Sequence, residues 1–144
     1  MTPRSTVHYL MTFVDTGAWA AFFVPADPMH NAAQEWLHRN NDRLVTSDYV
    51  LDETVTLLKA RFNTRTAILA GHSLLGERLA TLIYLLPHDI ERAWKIFRTH
   101  IDKGWSFTDC TSFALMQRLH ISTAFAFDKH FSQMRGIRCV PREY

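Results

Sequence analysis

Four acidic residues stand where apolar runs meet polar chain. Asp15 closes "MTFVD" and Asp128 closes "STAFAFD". Glu53 lies early in "DYVLDETVTLLKARF", and Asp109 early in "SFTDCTSFALMQRLH". Carboxylates gathered at one point repel one another, and some must take up protons. A divalent cation removes that conflict. An all-oxygen set with no matched His or Cys selects a hard cation, Mg²⁺ or Mn²⁺. Such a cation lowers the pKa of bound water and often acts on phosphates, so the chemistry implied is phosphoryl transfer.

Each acid has a second explanation when taken alone. Asp109 completes "SFTD", a capping box with Ser106 as N-cap, and an acid there also favours the helix dipole. Glu53 opposes the Leu51/Val55/Leu58 stripe and reads as a solvated first-turn acid, although Val50 and Leu57 leave little of that helix uncovered. Asp15 and Asp128 read as turn residues after strands. The other ten of the 14 acids, Glu35, Glu77 and Glu91 among them, read as surface.

The elements that must position these residues alternate. "MTFVD", "RLVTS", "ATLIYLL", "STAFAFD" and "GIRCVP" read as five short strands. Between them lie helical segments: "TGAWAAFFV", then "DPMHNAAQEWLHRN" capped by Asp27 with Pro28 at its first position, then "DYVLDETVTLLKARF". Next come "TRTAILAGHSLLGERL", weakened by Gly71 and Gly76, then "HDIERAWKIFRTHIDKG" stopped by Gly104, and "SFTDCTSFALMQRLH". Strands alternating with helices make a doubly wound α/β fold with a parallel sheet. Such sheets carry ligands at the carboxyl ends of their strands, the edge that all four acids share.

The bulk properties agree with one domain. The chain has 144 residues, is 47% hydrophobic and carries a formal charge of +2, which neither demands nor excludes an anionic partner. Residues 1–10 read as an irregular extension, with Met11 an alternative start. Cys110 and Cys139 form no metal-type pair and read as reduced thiols. The apolar stretches 66–76 and 79–87 are far shorter than the ~20 residues a spanning helix needs. The N-terminus makes a poor signal peptide. There is no P-loop, no G-x-G-x-x-G, no G-x-S-x-G and no H-E-x-x-H. An aspartyl-phosphate phosphatase would need a second Asp at position 17, which is Gly.

With "FVDTGAWAAFF", "VLDETVTLL", "SFTDCTSFALM" and "AFAFDKHF" in this order, the chain resembles the PIN-domain ribonucleases, most closely the VapC-type toxins of toxin–antitoxin pairs. The likeness runs from about Met11 to Val140. It implies a three-layer α/β/α sandwich around a central, mainly parallel sheet of about five strands. It implies Mg²⁺- or Mn²⁺-dependent hydrolysis of RNA, with Asp15, Glu53, Asp109 and Asp128 as catalytic and metal-holding acids. Thr16 and Thr108 would orient metal-bound groups. Glu53 is chosen over Asp52 because the family has Glu there, and Cys110 stands where Ala is common. The general base, Asp109 or Asp128, stays open. Lys129, Arg61 and Arg65 are candidate RNA-backbone contacts or solvated charges. The implied setting is a cytoplasmic homodimer silenced by a small antitoxin, docked on surfaces among "AWAAFF", "LLKARF" and "TAILAGHSLL". A stand-alone RNA-processing enzyme and a non-catalytic binding module are the alternatives. Asp109→Asn separates capping from catalysis: cleavage should vanish with the fold intact by circular dichroism, and loss of folding would return Asp109 to a cap.

Overall fold

The structure, a computed structural model, describes residues 10–142. Its elements are β1 (Met11–Val14), α1 (Thr16–Phe23), α2 (His30–Arg39), β2 (Arg43–Ser47), α3 (Asp48–Arg61), α4 (Thr64–Leu75), β3 (Thr81–Ile83), α5 (Pro87–Thr99), α6 (Phe107–Leu119), β4 (Thr123–Phe125), α7 (Lys129–Ser132) and β5 (Arg138–Val140). The expected residues 1–10 extension lies, apart from Leu10, outside the described residues.

The five strands form one parallel sheet in the order β3-β2-β1-β4-β5, with Phe13 opposite Val45 on one side and Ala124 on the other. From β1 the chain steps outward through β2 to β3, then crosses back to β4 and on to β5. Right-handed crossovers therefore place α1–α4 on one face and α5 and α6 on the other. The result is the three-layer sandwich. The order reverses between β1 and β4, so the switch point, where such sheets bind ligands, falls between the strands that carry Asp15 and Asp128.

Central strands covered on both faces must be apolar throughout. Phe13, Val14, Val45, Ala124 and Phe125 are buried accordingly. A buried polar relay locks the site end of the sheet: the Trp19 indole N–H donates to Thr46 Oγ1 at 3.1 Å, and Thr46 Oγ1 donates to the Val14 carbonyl at 3.1 Å. The Asp15 N–H donates to the Phe125 carbonyl at 3.1 Å, which ties the end of β1 to β4. The buried Phe131 of α7 stacks on Phe13 and meets Phe113 edge-on, at 6.4 and 5.0 Å between ring centroids.

Several sequence expectations shift. The helix expected from Asp27 and Pro28 begins at His30, because the Asp27 carboxylate accepts the Met29 N–H at 2.8 Å in a local turn and caps nothing further on. The strand expected over "ATLIYLL" contracts to three residues, and Pro87 opens α5. Gly71 does not break α4: it sits where that helix meets α3, and a Cβ there would lie 3.5 Å from Val55. The buried stripe of α3 is Val50–Thr54–Leu58, with Leu51 and Val55 half-buried and Phe62 exposed, so Glu53 borders the buried face. Helix α7 was not expected.

Asp89 departs from the surface reading given to the other acids. It is 1% exposed. Its carboxylate accepts the Leu86 N–H at 2.8 Å, and Arg118 of α6 grips it with two bonds of 2.8 and 3.0 Å. Burial pushes its pKa up, but the Arg118 bonds and the Leu86 N–H outweigh that and hold it below the usual value. Asp89 thus caps α5 and pins it to α6. Asp89→Ala should lower stability by ~3 kcal/mol, read by denaturant unfolding, because it strands part of Arg118 and uncaps the helix.

Candidate active site

Asp15 occupies the N-cap of α1, directly beyond β1, and is 4% exposed. Its Oδ1 is buried with no hydrogen-bond partner. Burial drives its pKa from 3.8 up to about 8. Asp109 adds to the rise, then Glu53 and Asp128, and only the Thr16 N–H opposes it. That all three other acids act on Asp15 is the electrostatic signature of a cluster. The neighbouring Thr16 hydroxyl is likewise buried without a partner.

Asp109 is the third residue of α6 and 7% exposed. The capping box is real: Asp109 Oδ2 accepts the Ser106 N–H at 3.0 Å, and Ser106 Oγ accepts the Asp109 N–H at 3.0 Å. Burial raises its pKa, the Ser106 N–H and His130 moderate the rise, and Asp128 adds to it. Asp128 caps α7, with Oδ1 accepting the His130 N–H at 3.0 Å, and its side chain is 46% exposed.

Glu53 is half-buried. It lines a groove of about 380 Å³ together with Asp52, Thr108 and Arg61. Thr108 is half-buried, and its carbonyl accepts the Thr111 hydroxyl at 2.6 Å. Of the candidate cations, Arg61 lines the Glu53 groove, Lys129 follows Asp128 on the surface, and Arg65 lies exposed at the start of α4 away from that groove. Burial, with Asp15 and Asp128 nearby, pushes the Cys139 thiol up, so β5 lies within reach of the same field. Both thiols are free.

One residue at the site was missed. His130 Nδ1 lies 3.1 Å from Asp109 Oδ2 and 3.3 Å from Asp128 Oδ2. The signal available in the sequence was local: a His two residues beyond an acid that closes a strand.

Among the described residues no three His, Cys, Asp or Glu side chains converge tightly enough to hold an ion as they stand. Two observations nevertheless fit a divalent cation. A buried carboxylate oxygen of Asp15 has no partner while three further acids act on that residue, and these groups are mostly hard oxygens, with His130 engaged on two of them.

Residues 12–137 match the PIN domain family model. The chain belongs to the PIN-domain family. It is 38% identical over 134 residues to the 23S rRNA-specific endonuclease VapC20 of Mycobacterium tuberculosis, covering 91% of this chain and 99% of that one. It is 30% identical over 125 residues to ribonuclease VapC26 of the same species, covering 86% and 92%. Its fold superposes on the crystal structure of Mycobacterium tuberculosis VapC20, a sarcin-ricin loop cleaving toxin, with a TM-score of 0.80 and 35% identity over 84% of this chain and 92% of that one. VapBC2 from Rickettsia felis, bound to promoter DNA, shares the fold at a TM-score of 0.65 and 10% identity over 90% and 97% of the two chains. Within the PIN family the chain is thus of the VapC type.

The burial of Asp15 has a measurable sign. A carboxyl whose pKa rises on folding holds its proton more tightly in the native state, so stability is full below pH ~4 and falls as pH climbs toward about 8. In EDTA, wild type should melt lower at pH 8 than at pH 6. Asp15→Asn should lose much of that dependence and melt several degrees higher at pH 8, at about 2–4 °C per kcal/mol. Parallel pH curves for the two proteins would contradict the burial account.

Proposed function

We propose that this protein is a divalent-cation-dependent endoribonuclease that hydrolyses RNA phosphodiester bonds, and that it is the toxin of a VapBC-type pair. The observation that carries the reading is the buried Asp15 carboxylate, one oxygen unpartnered, on which Asp109, Glu53 and Asp128 all act electrostatically, in a chain akin to an rRNA endonuclease over nearly its whole length.

Asp15, Glu53, Asp109 and Asp128 would hold the cation, Mg²⁺ or Mn²⁺, and Thr16 and Thr108 would offer hydroxyls to the groups around it. The bound cation supplies an activated water and stabilises the charge that develops on the phosphate. The β1–β4 backbone bond and the Trp19–Thr46–Val14 relay fix the backbone from which the Asp15 side chain springs. Asp109 Oδ2 is committed to the Ser106 N–H and lies against His130. Asp128 is the most exposed of the four acids, and we assign its carboxylate as acceptor of the proton released by the attacking water. Arg61 and Lys129 flank the cluster and would take the RNA backbone.

A silenced toxin needs a surface for its antitoxin. The groove between α3 and α4 is lined by Leu51, Val55, Ala67, Ile68, Gly71 and Leu75, with Ile68 and Leu75 more than half exposed. Of the expected surfaces, Ala18 and Trp19 are buried instead. The groove and its exposed rim support an apolar antitoxin segment there, and a homodimer remains part of the reading. Among the described residues no helix is long and apolar enough to cross a membrane, and an RNA substrate fits a cytoplasmic site of action.

Purified protein should cleave ribosomal RNA containing the sarcin-ricin loop in Mg²⁺ or Mn²⁺, and EDTA should stop it. Asp15→Asn and Glu53→Gln should each lower the rate by roughly 100-fold or more. Cleavage that survives both EDTA and these substitutions would sink the metal mechanism.

A further inference from the structure

The most tightly built contact at the site that the four-acid reading leaves unused belongs to His130. Its backbone is held at both ends, and its ring is three-quarters buried. The backbone N–H donates to Asp128 Oδ1 at 3.0 Å, and its carbonyl accepts the indole N–H of the buried Trp105 at 3.1 Å. The next residue, Phe131, is fully buried between Phe13 and Phe113 and anchors α7 to the sheet. The far edge of the imidazole rests on Gly104, where an added Cβ would come within 3.4 Å of Nε2. Backbone and ring are therefore fixed, and Nδ1 is presented to Asp109 Oδ2 and Asp128 Oδ2 together.

Both neighbours of Nδ1 are carboxylates. As ions they only accept, so the proton of a neutral imidazole belongs on Nδ1, and a charged imidazole carries one there as well. Asp109 and Asp128 come from different elements, the start of α6 and the loop after β4, and they repel each other. No other described side chain donates to both of them. We propose that His130 is a positioning residue: its Nδ1–H bridges the third and fourth acids and sets the spacing at which their remaining oxygens meet a cation. This rests on the ribonuclease reading of the site. The bond resembles the outer-shell contacts that orient metal-holding side chains, whose loss typically weakens metal affinity 10–100-fold. The imidazole itself touches no reacting atom in this role.

Two variants separate this role from mere packing. Asn at position 130 keeps an N–H close to where Nδ1 stands, while Leu keeps bulk and removes the donor. Mn²⁺ binding to the full-length protein should be measured calorimetrically, with thermal melts in EDTA as the folding control. Affinity should fall roughly 10–100-fold in His130→Leu and less than about threefold in His130→Asn. Equal losses in both variants, or no loss in either, would overturn the proposal. ¹⁵N NMR of the metal-free wild type gives a second decision: the proposal requires a proton on Nδ1, and a bare Nδ1 would overturn it. Wild type that binds no Mn²⁺ and cleaves no RNA would sink the ribonuclease reading instead, while the NMR result still decides whether the bridge exists.

Discussion

The fold is organised around a carboxylate that the polypeptide satisfies only in part, through the Thr16 N–H. Asp15 ends the central strand, buried, with one oxygen orphaned and three acids pressing on it. Left to itself such a group holds a proton or destabilises the chain. The surroundings do not let it escape: β1 has a parallel partner on either side, the Trp19–Thr46 relay fixes the strand end, and α1 begins at the next residue. A divalent cation would relieve conflict of this kind.

Asp89 is the contrast that gives this meaning. Both aspartates are shut off from solvent, Asp15 deep in the fold and Asp89 near its surface, and their pKa values move in opposite directions. Asp89 has a guanidinium and a helix-start N–H to balance burial, and its work is to join α5 to α6. Asp15 has carboxylates for neighbours. Burial alone does not mark a functional acid; burial among like charges does.

The positions of Asp15, Asp109 and Asp128 were legible because they depend on local rules, whereas Glu53 was told from Asp52 only by the family resemblance. An apolar run that stops at Asp, and a Ser-x-x-Asp before an apolar helix, are short-range patterns, and the parallel order of elements then brings them to one edge. Asp109 shows that a capping residue can also act on the buried carboxylate, since it closes the α6 box and raises the pKa of Asp15. What escaped the sequence was tertiary. Asp89 finds Arg118 across 29 positions, and His130 finds Asp109 across 21. Gly71 read as a weakness in its helix because the approach of Val55 from another helix cannot be seen in a one-dimensional pattern. Asp27 failed as a helix cap because its side chain was taken by a nearer N–H.

The central claim is that a cation replaces the proton that Asp15 otherwise keeps. Calorimetric titration of metal-free protein with Mn²⁺ at pH 7, repeated in buffers of different ionisation enthalpy, counts the protons set free on binding. The account predicts saturable binding with net proton release, lost in Asp15→Asn. Saturable binding with no proton release, or no binding at all, would contradict it.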